Sequence, residues 1–236
     1  MSQEERYQKW EKKAKIFKID NVRKATFILT VENVLKILKG KKEGIVLDVG
    51  CGFGDIDVLL ARKTNFKIIA IDISDTVLES AREKVQQEGF EHRIKVERGD
   101  IYNLDYPDNY FDIIFSFGYT SAASYSRVSR EVARALKPGG MLILDYINHH
   151  SLYKICSLPK RYRINKKGEL YSFNLSGIKK HFQEVGLNFV ENIFFNTYPP
   201  ILNNILPVDF YVLFEKTIGR LFKRILGRVI LVCFKK

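Results

Sequence analysis

The sequence predicts a doubly wound α/β fold, and three observations carry that prediction. A short apolar run, Ile45 to Val49, leads straight into Gly50-Cys51-Gly52-Phe53-Gly54. The next apolar run, Lys67 to Ile71, closes on Asp72. Strand-like and helix-like segments then alternate as far as Tyr146, the pattern of a parallel sheet with helices on both faces.

Ile45–Val49 is too short for a typical helix and reads as a strand buried on both sides. Glycine at alternate positions permits a tight turn with positive φ and lets a ligand approach bare backbone. Asp55 follows, with Ile56, Val58, Leu59 and Leu60 behind it in a helical pattern, and a carboxylate suits a helix N-terminus. The spacing is Gly-x-Gly-x-Gly, whereas the dinucleotide fingerprint has its third glycine one place later. Asp72 stands about 20 residues past the turn, where such folds hold a ribose hydroxyl. A helix cap is its alternative role, but Ser74 and Asp75 offer that already.

The remaining elements follow in order. Ser2–Lys18 reads as a charged helix with Tyr7, Trp10, Ile16 and Phe17, and Thr26–Leu38 as a second helix. These leading helices either cover the ligand site, with Tyr7 or Trp10 touching it, or make plain core contacts. Asp75 caps a helix ending near Glu88 at Gly89. Arg93–Glu97 and Phe111–Phe115 are the third and fourth strands. Ser121–Leu136 is helical, Lys137-Pro138-Gly139-Gly140 a turn, and Met141–Tyr146 the fifth strand. Beyond it come a basic stretch to Leu170, a helix over Leu175–Val185, a strand over Leu187–Phe195, a helix over Asp209–Leu226 and a last strand over Arg228–Phe234.

Composition sets bounds. The 236 residues suffice for one large domain, and no linker-like tract divides them. Met1–Lys18 lacks the apolar core of a secretory signal, and no apolar run approaches a membrane span. Cys51, Cys156 and Cys233 are scattered and odd in number, so neither a disulfide framework nor a zinc site is expected and a reducing cytoplasm fits. The net charge of +12 is lopsided: residues 151–236 carry 15 Lys/Arg against 5 Asp/Glu. That excess points to an acidic substrate, RNA or an anionic membrane surface, or else to a solubilising face.

Taken together, these features resemble the class I S-adenosylmethionine-dependent methyltransferases of small-molecule type, over nearly the whole chain. Val46–Gly54 is similar to the first motif of that family. Ile71-Asp72-Ile73-Ser74 resembles the acidic end of its second strand, and Gly99-Asp100-Ile101 its adenine position. Phe111–Ser116 resembles its fourth strand, and Arg134–Gly140 the turn before the fifth. The resemblance implies a Rossmann-like, three-layer, seven-stranded sheet with the last strand antiparallel. It also implies one domain over 1–236: N-terminal helices (1–44), a cofactor-binding core (45–146) and a substrate-side half (147–236).

Carried onto this sequence, the resemblance implies that the Gly50-Cys51-Gly52 backbone meets the methionine part of S-adenosylmethionine, with Asp48 holding the turn. Asp72 would take the ribose hydroxyls and Ile73 would lie on adenine. Asp100 would accept from the adenine amino group beside the Ile101 amide, and Ser116 would sit near the sulfonium. No metal is implied. No Lys follows the glycines, so a triphosphate is disfavoured, and the glycine spacing disfavours a nicotinamide dehydrogenase.

Methyl transfer from a sulfonium is an in-line displacement on an activated donor, in which alignment carries much of the acceleration. Where a base is needed, His149 is the candidate, because histidine titrates near neutrality, and Tyr119 is expected to orient substrate or cofactor. After the fourth strand the chain reads Ser116-Phe117-Gly118-Tyr119 and lacks the Asn/Asp-Pro-Pro-Tyr/Phe motif of many amino-group methylases. DNA is therefore not an expected partner.

The expected acceptor is a small or lipid-like molecule. RNA, gripped by the basic loop Lys160–Lys167, is the alternative, and a non-catalytic partner subunit is a third reading. The helix over Asp209–Leu226 is expected to pack on the domain and roof the substrate pocket, with a surface that meets a membrane or lipid-like acceptor as its alternative.

Overall fold

The computed structural model describes residues 3–117, 125–148, 151–152, 175–199 and 205–236. In chain order these give α1 (Gln3–Ala14), α2 (Asn21–Ile37), β1 (Ile45–Val49), α3 (Asp55–Ala61), β2 (Lys67–Asp72), α4 (Asp75–Gln87), β3 (Ile94–Arg98) and β4 (Phe111–Ser116). The second half adds α5 (Tyr125–Ala135), β5 (Leu136–Ile147), α6 (Leu175–Gln183), β6 (Asn188–Phe195), α7 (Val208–Phe214), α8 (Arg220–Leu226) and β7 (Val229–Lys235). One turn with π spacing, Glu215–Gly219, joins α7 to α8.

The seven strands form one sheet in the order β3-β2-β1-β4-β5-β7-β6. β7 runs antiparallel to both its neighbours, and the other pairs are parallel. Alternation along the strands sorts the core into two layers, because successive side chains point to opposite faces. Val46, Ile68, Ala70, Ile113, Phe115 and Ile143 pack under α2, α3 and α4. Leu47, Val49, Ile71, Ile114 and Leu142 pack under α5 and α6. This is the three-layer α/β architecture that the sequence predicts.

Two anchors hold the frame. The Asp112 carboxylate, at the start of β4, accepts from the Ile45 amide at 2.9 Å and from Lys137 Nζ at 2.9 Å. Burial raises its pKa, but those hydrogen bonds outweigh burial and leave it below the ordinary range. Arg134 of α5 donates to the carbonyls of Leu104 and Tyr106 at 2.9 and 2.7 Å, which fixes the loop after β3.

Two expectations are corrected. Lys137-Pro138-Gly139-Gly140 lies within β5, which pairs with β4 from Leu136 onward across an irregularity between Phe111 and Ile113. The segment over Val208–Leu226 does not bury its apolar face. Its buried residues are Tyr211, Glu215 and Gly219, whereas Leu213, Ile218, Leu221, Phe222 and Ile225 are exposed.

The reason lies in what the π turn turns inward. Glu215 accepts from the Thr197 amide and hydroxyl, each at 2.8 Å, and Gly219 sits directly against the buried Thr197 side chain. A methyl group at Gly219 has no room there, since Thr197 is held by Glu215 and the Phe214 carbonyl closes the other side at 3.2 Å. We expect Gly219→Ala to destabilise the fold by about 1–3 kcal/mol, read as a lower urea midpoint, with Thr217→Ala on the exposed side of the same turn close to neutral.

Candidate functional site

The carboxyl ends of β1, β2, β3 and β4 open on one crevice, as the parallel register dictates. The glycine turn lines it. The amides of Gly50 and Cys51 both donate to the Ile71 carbonyl, at 2.8 and 3.0 Å, so the exit of β1 is fastened to the end of β2. Gly50 and Gly52 have φ of +80° and +56°, a conformation that side chains rarely adopt. A Cβ at either position would meet nothing within 4 Å, so this backbone faces open space.

Asp72 bridges turn and helix. One carboxylate oxygen accepts from the Gly52 amide at 3.2 Å, the other from the Ser74 amide at 3.0 Å. Burial pushes its carboxyl above the ordinary range against the pull of those amides. Ser74, the N-cap residue of α4, supplies no side-chain cap bond; Asp72 holds its amide, and Glu11 of α1 takes the first-turn amide of Thr76. Ile73 beside it is half-exposed.

α1 lies across this end of the sheet. Arg6 pairs with Asp100 and stacks over the Tyr102 ring at 4.3 Å, and Tyr7 donates to Asp75 at 3.3 Å. Glu11 accepts from the Thr76 amide at 3.2 Å. Beyond α1, Phe17 stacks on Phe53 of the glycine turn with ring centroids 5.5 Å apart. Tyr7 touches the helix start beside Asp72, and Trp10, half-buried, rides on the same helix.

Beneath the turn, Asp48 of β1 and Asp57 of α3 form a hydrogen-bonded carboxyl pair, exposed by only 3% and 1%. Burial raises both: Asp57 to about 7, and Asp48 well above the ordinary range, with Asp57 as its next largest cause. Two buried carboxylates cannot both ionise at this separation, so the pair keeps at least one proton and gives up the other only as pH rises toward about 7. Asp55, Asp72, Asp145 and Lys84 complete the surrounding charges. Cys51, packed beside the pair, is a buried thiol that burial pushes far up, so it offers no nucleophile.

The structure brings together Asp48, Gly50, Cys51, Gly52, Asp72, Ile73 and Asp100. Ile101 and Ser116 belong to the same strand ends, but their side chains line a small cavity of about 10 Å³ on the α5–α6 side, with Val128, Leu144 and Phe182. The Ser116 hydroxyl is buried there with no hydrogen-bond partner among the described residues. Tyr119 and His149, with the loop Lys160–Lys167, lie outside the described residues. No cluster of possible metal ligands occurs among the described residues. Sequence reasoning missed Arg6, Glu11 and Asp57. Asp57 alone left a signal, a carboxylate two places after the helix-opening Asp55.

Comparison with known proteins agrees with this geometry. Residues 46–140, from β1 into β5, match a family model described as a methyltransferase domain. Residues 46–140 are thus similar to a methyltransferase domain. The chain is 40% identical over 100 residues to methyltransferase GfsG of Streptomyces halstedii, covering 42% of this chain and 36% of that protein. It is 33% identical over 114 residues to demethylmenaquinone methyltransferase of Listeria welshimeri, covering 47% and 48%. The chain thus spans half or less of these relatives. In fold it resembles a SAM-dependent methyltransferase from Aquifex aeolicus, with a TM-score of 0.60 at 18% identity over 92% of this chain and 99% of the other.

The residues of the crevice fit S-adenosylmethionine, the cofactor that the resemblance implies. The open backbone at Gly50 and Gly52 is a cradle that any Cβ would fill, and the Asp72 carboxylate stands at its edge. The shared proton also makes this domain sensitive to pH. A carboxyl pKa raised in the folded state contributes stability below the ordinary carboxylate value and loses it as pH rises toward about 7. We expect the melting temperature to fall from pH 5 to pH 8. In Asp57→Asn, whose amide donates to Asp48 at any pH, that fall should be shallower; equal slopes in both proteins would show that the pair does not set it.

Proposed function

We propose that the chain binds S-adenosylmethionine in this crevice and transfers its methyl group to a small-molecule or lipid-like acceptor. The observation that carries the reading is the side-chain-free cradle at Gly50 and Gly52, closed on one side by Asp72. When bound, the cofactor supplies a methyl group already activated on a sulfonium, so the chain's task is alignment and exclusion of water. The kinship to a demethylmenaquinone methyltransferase supports an apolar acceptor.

The roles follow from placement. The Gly50-Cys51-Gly52 backbone holds the methionine part, and the Asp48–Asp57 pair beneath fixes that turn without adding net charge beyond one. Asp72 accepts from the ribose hydroxyls and Ile73 lies on adenine. Asp100 and the Ile101 amide read the adenine edge, with Arg6 sharing the Asp100 carboxylate. Ser116 ends β4 near the reacting centre, with its hydroxyl buried in the small cavity. Tyr119 and His149, whose roles rest on their sequence positions after β4 and β5, are the candidates to orient the substrate and to take a proton where the acceptor is a hydroxyl or phenol. α1 covers the nucleoside end.

Calorimetric titration with S-adenosylhomocysteine tests the reading. The intact protein should bind in the micromolar range, and Asp72→Ala and Asp72→Asn should each weaken binding by about 10- to 100-fold, the worth of hydrogen bonds to a charged group. No binding by the intact protein overturns it.

The chain has a single tryptophan, Trp10 on α1. If α1 covers the bound nucleoside, Trp10 emission should change on titration with the same midpoint as the calorimetry. Emission that stays constant through saturation would remove α1 from the binding site.

A further inference from the structure

The segment joining β6 to β7 presents an unpartnered face at the rim of the crevice. Ile147 of β5 and Phe195 of β6 both pair with Val229, which places residues 196–199 and 205–228 at the carboxyl end of the parallel strands, the end that carries Gly50 and Gly52. Asn148 Nδ2 donates to the Gly227 carbonyl at 2.8 Å, and the Ser151 hydroxyl to the Leu226 carbonyl at 2.7 Å, which holds the segment there.

On this segment Ile218, Leu221, Phe222 and Ile225 recur at helical spacing and stand in water, Leu221 with 79% of its surface exposed and Leu213 with 62%. A contiguous apolar stripe of this size is unlike the single exposed side chains of an ordinary surface. Arg220, Lys223 and Arg224 interleave with it, and none has an ion-pair partner among the described residues. Lys216, by contrast, is paired with Glu32 at 2.7 Å. The acids of the segment are elsewhere: Glu215 is buried on Thr197, and Asp209 lies in the first turn of α7. Beside the stripe, Lys223 and Arg224 converge with Asn192 on an open groove of about 360 Å³, walled by Leu175 and Phe194.

We propose that this face docks on an anionic lipid membrane, with Leu221, Phe222 and Ile225 entering the acyl boundary and Lys223 and Arg224 receiving lipid phosphate in the groove. Apolar and basic side chains together, with the one exposed acid, Asp209, in the first turn of α7 and away from the stripe, are the chemistry of a helix that lies in a charged bilayer interface. A second copy would bring three unpaired cations against three more. RNA would engage the cations but leave the aliphatic stripe in water. No described helix is long and apolar enough to cross a membrane, so the contact is superficial. Docking stands apart from catalysis; resting on the methyltransferase reading, it also names the acceptor class, an apolar molecule held in the bilayer and met at the crevice rim.

Co-sedimentation of the full chain with vesicles of phosphatidylcholine, with and without phosphatidylglycerol, tests the proposal. Binding should require phosphatidylglycerol and weaken with salt. Neutralising both groove cations (Lys223→Gln with Arg224→Gln) should weaken it about thirtyfold, and Leu221→Asp with Phe222→Asp should abolish it. S-adenosylhomocysteine affinity, measured without vesicles, should be unchanged in these variants, which certifies their fold and reads the cofactor proposal separately. Equal binding to both vesicle types, or binding that neither pair of changes alters, overturns the proposal. So does a dimer that the Leu221/Phe222 change dissolves, or RNA binding that the Lys223/Arg224 change removes while vesicles stay unbound.

Discussion

The Ile71 carbonyl is the point on which the site depends. It accepts two amides, from Gly50 and Cys51, and so joins the end of β2 to the exit of β1. A parallel pair of strands has no hairpin to fix their ends together, so the junction must be made by a loop. Asp72, the next residue, returns a carboxylate oxygen to Gly52 and gives the other to the start of α4. One dipeptide therefore fixes the glycine turn, the acidic group beside it and the helix behind it. Any ligand held by the turn is then automatically within reach of Asp72.

The turn rests on a costly support. A buried carboxyl pair with unpaired oxygens on both Asp48 and Asp57 is worse for folding than an apolar contact of the same volume. Such a pair persists only where the rest of the structure over-determines it, and here a buried strand and a packed helix do so. The pair lies directly below the cradle, and the proton it keeps spares the turn a second buried charge.

The fold was legible because its signals are local. A strand too short for a helix, glycines that need positive φ and a carboxylate at a strand end all appear within thirty residues, and each has one cheap structural solution. Arg6 was illegible for the opposite reason: its partner, Asp100, is 94 residues away, and nothing in α1 marks one of its several charges as special. Asp57 was half-legible, since a second acid in a first helical turn is unremarkable until burial is known. Lys137-Pro138-Gly139-Gly140 misled because turn residues were read as a turn, whereas the antiparallel partner Lys235-Lys236 extends pairing alongside them: the Gly139 amide donates to Lys236 and the Lys236 amide to Gly140.

The segment before β7 shows where periodicity stops being informative. A wide apolar stripe at helical spacing says only that some surface wants cover, and the sequence cannot name which. The π turn decides it. By adding one residue to a helical turn, it sets Glu215 and Gly219 inward against Thr197 and carries the stripe that follows off the domain. Packing the stripe inward would expose Glu215 and unpair the buried Thr197. The polar anchor therefore fixes the outward face, and part of the basic excess of the second half acquires a location: Arg220, Lys223 and Arg224, without ion-pair partners among the described residues, stand at the carboxyl end of the parallel strands.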